Sequence, residues 1–343
     1  MIAAARLLAQ AIAVGEQSAL ETAAPSAERI GDLWNLMLGV SVVVTLAVLL
    51  ALAWAIWRPR PPGQVAEADR PADRRERIGA RVMVGAGVVF PAVILGVLLV
   101  ITMRVLDTIS LPSHTLAQPD DPPAPGELTI KVTGRQYWWE VEYLDADPQR
   151  GFETANELRI PVGRRVIVRL AADDVIHSFW VPGLGGKMDL VPGRTNVTFI
   201  EASRPGVWRG QCAEFCGVQH AKMAFVVVAE PPDRWEAWAA RQRLPASVQG
   251  DSLALADRDA FLRSGCVLCH AVRGTPARGD LGPDLTHLAD RLTLAAGTLP
   301  NTLGHRYGWI ADPQAIKPGN KMPAVPLSPS ELDAIVRYLG TLR

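Results

Sequence analysis

Cys212, Cys216, His220 and Met223 fall four, four and three residues apart in GQCAEFCGVQHAKM (210–223). A second short stretch, GCVLCH at 265–270, holds Cys266, Cys269 and His270. These two stretches contain all four cysteines of the chain, so each pair demands an explanation. In the first, thiolate, imidazole and thioether together favour copper among the common metals. Zinc accepts two cysteines and two histidines but has little use for a thioether. His177, in DDVIHSFWVP, is a further candidate ligand. A single blue-copper ion needs one cysteine, two histidines and a methionine; a second cysteine suits two bridged metal ions better. A Cys212–Cys216 disulfide accounts for the thiols but not for His177, His220 and Met223.

The second stretch is Cys-x-x-Cys-His, the attachment signature of a c-type haem. Its thiols add to the haem vinyl groups, and His270 is placed to bind the iron. A thioredoxin-like Cys-x-x-Cys is the rival, but it belongs to a βαβ pattern that this region lacks and needs no following histidine. Met322 is the only methionine after the motif and lies in the polar, turn-rich PGNKMP. It reads as the sixth ligand, and His/Met ligation raises the potential of a haem. His287 and His305 are the reserve candidates.

Different elements must position these groups. LTIKVTG, YWWEVEY, NELRI, RRVIVRL, TNVTFI, GVWRG and AFVVVA are short, β-branched or aromatic, and punctuated by Gly, Pro or Asp. About seven strands over 118–230 predict an all-β sandwich or Greek-key barrel, with 212–223 on the loop joining its last two strands. A proline-rich connector, QPDDPPAPGE at 118–127, precedes it. After it, 231–250 reads as a linker with a short amphipathic helix. The segment 251–343 reads as an all-α domain whose terminal helix is capped by Ser328 or Ser330 and packs on its first.

Before the sandwich, residues 26–110 predict a transmembrane hairpin. Leu33–Trp57 is 25 residues without a charge, and Val82–Leu106 is a second apolar run whose Pro91 and glycines are tolerated in membranes. Arg104 falls in its last turn, where its side chain can snorkel. Seven arginines in Arg58–Arg81 place the intervening loop in the cytoplasm. The sandwich and the all-α domain are then extracytoplasmic, on a bacterial cell membrane. Residues 1–25 read either as a signal peptide or as an N-terminal extension. A formal net charge of zero gives no argument for nucleic acid as a partner.

The two spans, GRQYWWEVEY, DDVIHSFWVP, GLGGKMDLVPGR and GQCAEFCGVQHAKM together resemble subunit II of haem-copper cytochrome c oxidases, with its cupredoxin-like CuA domain. GCVLCH, LGPDLTHL, IKPGNKMPAV and SPSELDAIVRYLGTL resemble a class I cytochrome c. The combination is similar to caa3-type oxidases. By that resemblance Cys212 and Cys216 bridge two coppers, His177 and His220 bind one each, and Met223 is a weak ligand to one. Glu214 offers its backbone carbonyl to the other, and its side chain helps bind a magnesium ion facing subunit I, near Asp189. The carbonyl of Pro283 helps hold the axial His270. The resemblance also implies subunit III and an external donor, a cytochrome c or a bc1-type complex, as partners. Electrons would pass from that donor through the haem and the copper pair to subunit I, where oxygen is reduced and protons are translocated. One position departs from the family. After Gly-x-Gln a tryptophan is usual above the copper, whereas Tyr137 stands here, a candidate for receiving electrons.

Two other functions use the same groups. A nitric oxide or nitrous oxide reductase component also carries CuA, though the nitrous oxide enzyme does so on a soluble chain. A membrane-anchored copper carrier would need ligands exposed for release.

Overall fold

The computed structural model describes residues 18–58, 74–111, 121–246 and 252–343. They form two compact units, one of residues 28–110 and one of the remainder. The first unit is helical. Helix α1 is Pro25–Trp57; α2 is Arg74–Val84, followed by a π-helical turn over Gly85–Val89 and by α3, Phe90–Ile109. Pro91 explains the turn. In a regular helix its ring would press on the carbonyl four residues back, and a widened turn with two glycines relieves that clash. Both helical runs contain a window of mean hydropathy 2.7, and neither window is buried within the chain. The helices extend beyond the apolar runs predicted at 33–57 and 82–106.

The sandwich has ten strands rather than seven: β1 (Thr129–Arg135), β2 (Trp138–Leu144), β3 (Phe152–Ala155), β4 (Glu157–Pro161), β5 (Val166–Ala172), β6 (His177–Trp180), β7 (Met188–Leu190), β8 (Asn196–Ile200), β9 (Gly206–Cys212) and β10 (Ala224–Glu230). One sheet runs β3-β2-β1-β5-β8 and the other β4-β10-β9-β6-β7. β1 with β5 and β4 with β10 pair in parallel; the other pairs are antiparallel. Strict alternation along β2 turns Trp139, Val141 and Tyr143 inward, where Trp139 meets Phe179 and Phe225 edge-on. Gly210 fixes the register of the β9–β10 hairpin. It faces Phe225, whose ring occupies the space a Cβ would need. That register sets where the loop carrying Cys216 and His220 leaves the sheet.

The expected linker is mostly folded. Helix α4 (Pro232–Gln242) lies against the sandwich with Trp235 and Trp238 buried. Trp235 donates to the carbonyl of Arg159, and Trp238 packs edge-on against Tyr143 and Phe152. Residues 247–251 lie outside the described set. Part of the segment read as a signal peptide or an N-terminal extension is folded too: Ala23 and Ala24 are buried, Ala23 N–H donates to the Gly183 carbonyl, and Ser203 N–H donates to the Ala23 carbonyl. Residues 1–17 lie outside the described set.

The last domain contains α5 (Ser252–Arg263), α6 (Leu303–Ala311), α7 (Pro313–Ile316) and α8 (Pro329–Thr341). It also holds a small hairpin, Thr293–Leu294 with Leu299–Pro300, beyond the all-α expectation. Ser328 caps α8 in a capping box with Glu331. Helix α8 packs on α5 through Phe261 and Tyr338, and Arg337 grips Asp257 with two bonds of 2.7 and 2.8 Å.

Candidate functional site

Cys212 ends β9, and its N–H donates to the Met223 carbonyl across the base of the loop. The loop returns through a 3₁₀ turn, His220–Lys222, into β10. His177 opens β6, the neighbouring strand, so three strands of one sheet present the ligands. Cys212 Sγ and Cys216 Sγ stand 3.8 Å apart. That is nearly twice a disulfide bond, so the pair is not cross-linked. His177 Nδ1 lies 3.8 Å from Cys212 Sγ; His220 Nδ1 lies 3.6 Å and Met223 Sδ 3.7 Å from Cys216 Sγ. The Glu214 carbonyl lies 3.2 Å from Cys212 Sγ. Cys212, Cys216, His177 and Met223 are all buried. Two unlinked sulfurs, flanked by one imidazole on each side with a thioether and a carbonyl nearby, fit a pair of thiolate-bridged coppers.

Hydrogen bonds aim the His177 ring at the sulfurs. His177 Nε2–H donates to Asp174 Oδ1 at 2.8 Å, which turns Nδ1 toward the sulfurs. Burial pulls the His177 pKa down, but Asp174 and the Cys212 sulfur outweigh it and raise it. Burial would raise Asp174; the bonds from His177 and from the Gln136 and Val175 N–H groups prevail and hold it well below the usual carboxylate range. Hydrogen bonding from the Cys216 thiol, with burial opposing, lowers the Cys212 thiol. Glu214 turns its carboxylate outward, 4.0 Å from Lys187, which also reaches Asp189 at 3.0 Å. Phe215 and Val218, on the same loop, are exposed.

The second motif lies on a cavity of about 440 Å³ whose wall includes Cys269, His270 and Met322. Cys266 sits one turn away, its carbonyl accepting from His270 N–H at 2.9 Å. His270 Nδ1–H donates to the Pro283 carbonyl at 2.8 Å, leaving Nε2 free for iron. Burial lowers the His270 pKa and so favours the neutral, ligating ring. Gly282 makes the space: a Cβ there would stand 2.7 Å from His270 Cε1. The Met322 loop is braced by Gln314 Nε2, which donates to the Asn320 and Met322 carbonyls at 2.9 and 2.8 Å. These residues and this cavity fit a c-type haem. Neither His287 nor His305 lines the cavity; His287 bonds the Leu244 carbonyl and His305 meets Thr302.

The cavity wall is completed by the sandwich, through Arg135, Gln136, Tyr137 and Trp138 at the β1–β2 turn. Tyr137 is buried there. Its hydroxyl lies so close to Gly217, one residue from Cys216, that a Cβ at Gly217 would be 2.5 Å away. Gln136 Nε2 donates to the Cys216 carbonyl at 2.7 Å. Across the same seam, Ala224 N–H donates to the Ala296 carbonyl at 3.0 Å, and Gln219 and Lys222 donate to the Pro318 and Ile316 carbonyls. Asp174 and Gln136 escape a reading of the sequence. Only Asp174 leaves a signal, a carboxylate three residues before a ligand histidine.

A family model described as the periplasmic domain of cytochrome c oxidase subunit II matches residues 144–230, and one described as cytochrome c matches residues 258–343. Cytochrome c oxidase subunit 2 of Alkalihalophilus pseudofirmus is 35% identical over 335 residues, covering 96% of this chain and 92% of its own. The protein of the same name from Bacillus subtilis is 33% identical over 262 residues, covering 73% and 72%. A solved structure, the periplasmic domain of subunit II of cytochrome oxidase of Bradyrhizobium japonicum, is 31% identical and covers 36% of this chain and 97% of its own, with a TM-score of 0.32.

Proposed function

The chain belongs to the cytochrome c oxidase subunit 2 family, and on that premise we propose how its residues divide the work. As a subunit II with a fused cytochrome c domain, it is an electron-transfer component of a haem-copper oxidase and partners subunit I; its two folded domains imply a CuA copper pair and a haem c. His177, Cys212, Cys216, His220, Met223 and the Glu214 carbonyl hold the coppers. Cys266 and Cys269 would bond the haem, and His270 and Met322 would ligate its iron. Bound there, each group accepts and returns one electron at a time.

The observation that carries this reading is the pair of buried, unlinked sulfurs 3.8 Å apart beside a shared cavity. Ligands fixed by three strands move little between oxidation states, so the site is preorganised for electron transfer. Asp174 holds His177 in its ligating tautomer. Tyr137 fills the seam between the copper loop and the haem cavity and assists transfer between them. Glu214, with Asp189 near, contributes a carboxylate to a magnesium ion at the face toward subunit I. An external donor, a cytochrome c or a bc1-type complex, reduces the haem domain, and subunit III joins the assembly. The arginine-rich segment 58–81 lies in the cytoplasm, the apolar helices cross the membrane and both cofactor domains face the other side. Oxygen reduction and proton translocation belong to subunit I.

Purifying the complex and measuring copper, covalent haem and oxygen uptake together tests the reading. Two coppers and one c-type haem per chain with oxygen uptake support it. Reduction of nitric oxide in place of oxygen points to the reductase alternative, and copper without a mixed-valence near-infrared band points to a carrier.

A further inference from the structure

Lys317 is 2% exposed and lines the cavity between the two domains. Its ammonium donates to the Tyr137 carbonyl of the sandwich at 2.8 Å and to the Ala295 carbonyl of its own domain at 3.1 Å. An ammonium has three N–H donors, so these bonds leave one. The other charged side chains of the cavity wall are matched. Arg135 pairs with Asp173 at 2.8 Å and with Glu140 at 3.2 Å, and Lys321 pairs with Asp174 at 3.3 Å. Among the described residues no carboxylate lies within 4.0 Å of Lys317. A dry cation with two neutral partners is costly, and burial pushes its pKa down to about 7. The cavity it lines is the one holding Cys269, His270 and Met322. A c-type haem brings two carboxylates into that space.

We propose that Lys317 receives a haem propionate, so that one side chain ties the haem, its own domain and the copper domain together. This rests on the reading that the cavity holds the c-type haem. Three consequences follow from the geometry. The propionate supplies the missing anion and keeps Lys317 charged. The cation close to the porphyrin favours the reduced haem, because reduction adds negative charge. The Tyr137 carbonyl, held by the same ammonium, fixes the seam residue relative to the haem edge. Lys317 is thus a cofactor-binding residue that also positions the neighbouring domain.

The test uses the assembled oxidase with Lys317→Gln and Lys317→Arg. Glutamine keeps an N–H donor for the backbone carbonyls but removes the charge; arginine keeps the charge. Redox titration of the haem band should show Lys317→Gln shifting the haem–copper equilibrium about tenfold toward reduced copper, a fall of about 59 mV for a one-electron couple. Lys317→Arg should stay within about twofold of the unaltered complex. An unchanged haem potential in Lys317→Gln, with haem covalently attached, overturns the proposal and leaves Lys317 a backbone bridge. Should Lys317→Gln fail to attach haem, the infrared spectrum of the unaltered complex decides. Propionate bands of a hydrogen-bonded carboxylate that move in D₂O support the proposal; bands of a free carboxylate overturn it. Absence of covalent haem from the unaltered chain would instead defeat the underlying reading.

Discussion

At the scale of single residues, the copper and haem ligands are separable by chemistry. Cys212→Ser or Cys216→Ser should abolish the mixed-valence near-infrared band, because an alcohol oxygen is a poor bridge for soft copper. An intact band in Cys216→Ser would remove that residue from the site. Met223→Leu should keep the band and shift the potential, since the thioether is a weak ligand beside two thiolates. Met322→Ala should leave haem attached but change the iron spin state and lower its potential; an unchanged spectrum would exclude Met322. Tyr137→Leu should slow haem-to-copper transfer with both spectra intact, and an unchanged rate would direct attention to Trp138. The candidate ligands were legible in the sequence because metals demand particular atoms at particular spacings. Lys317 was not, and Asp174 left only its place three residues before His177. The two backbone carbonyls that hold Lys317 come from chain crossings that no local pattern records.

At the scale of elements, α4 belongs to the sandwich although its sequence reads as part of a linker. Prolines at 231 and 232 and the small-residue run after 244 signal a break, while Trp235 and Trp238 carry the packing. Trp238 packs on Phe152 and Tyr143, about ninety residues away in sequence, and Trp235 bonds the Arg159 carbonyl, so the local pattern could not reveal their burial. Trp238→Ala should cost roughly 3–5 kcal/mol, as large-to-small changes of buried aromatics do. Thermal unfolding of the assembled variant would show that loss as a lower Tm for the sandwich; an unmoved Tm would mean that α4 only covers the surface. Truncation after residue 246 should therefore leave a copper-loaded subunit that needs added cytochrome c, whereas truncation after Glu230 should destabilise the copper domain as well. Equal copper content and equal Tm in both would contradict the role given to α4. The short strands β3, β6 and β7 went uncounted for a related reason: strands of three or four residues carry too little alternation to stand out.

At the scale of the molecule, the haem and copper domains are docked, and more than a flexible tether joins them. Ala224, Gln219, Lys222 and the Tyr137 carbonyl supply the copper side; the backbone carbonyls of Ala296, Ile316 and Pro318 and the Lys317 ammonium supply the haem side. Bonds to backbone carbonyls dominate this seam, so salt should weaken it less than it weakens a charge-steered encounter with a separate donor. The shared cavity places His270 and Met322 in one wall and Tyr137 in the other, with the copper loop directly behind Tyr137. One measurement tests this account most directly. Electrons are injected by a flash into the haem of the purified complex, and the haem band and the near-infrared copper band are followed over a wide range of dilution. The account predicts that haem oxidation and copper reduction proceed together, at one first-order rate that neither dilution nor moderate salt changes. A rate proportional to protein concentration, or haem oxidation without any change at the copper band, would contradict it.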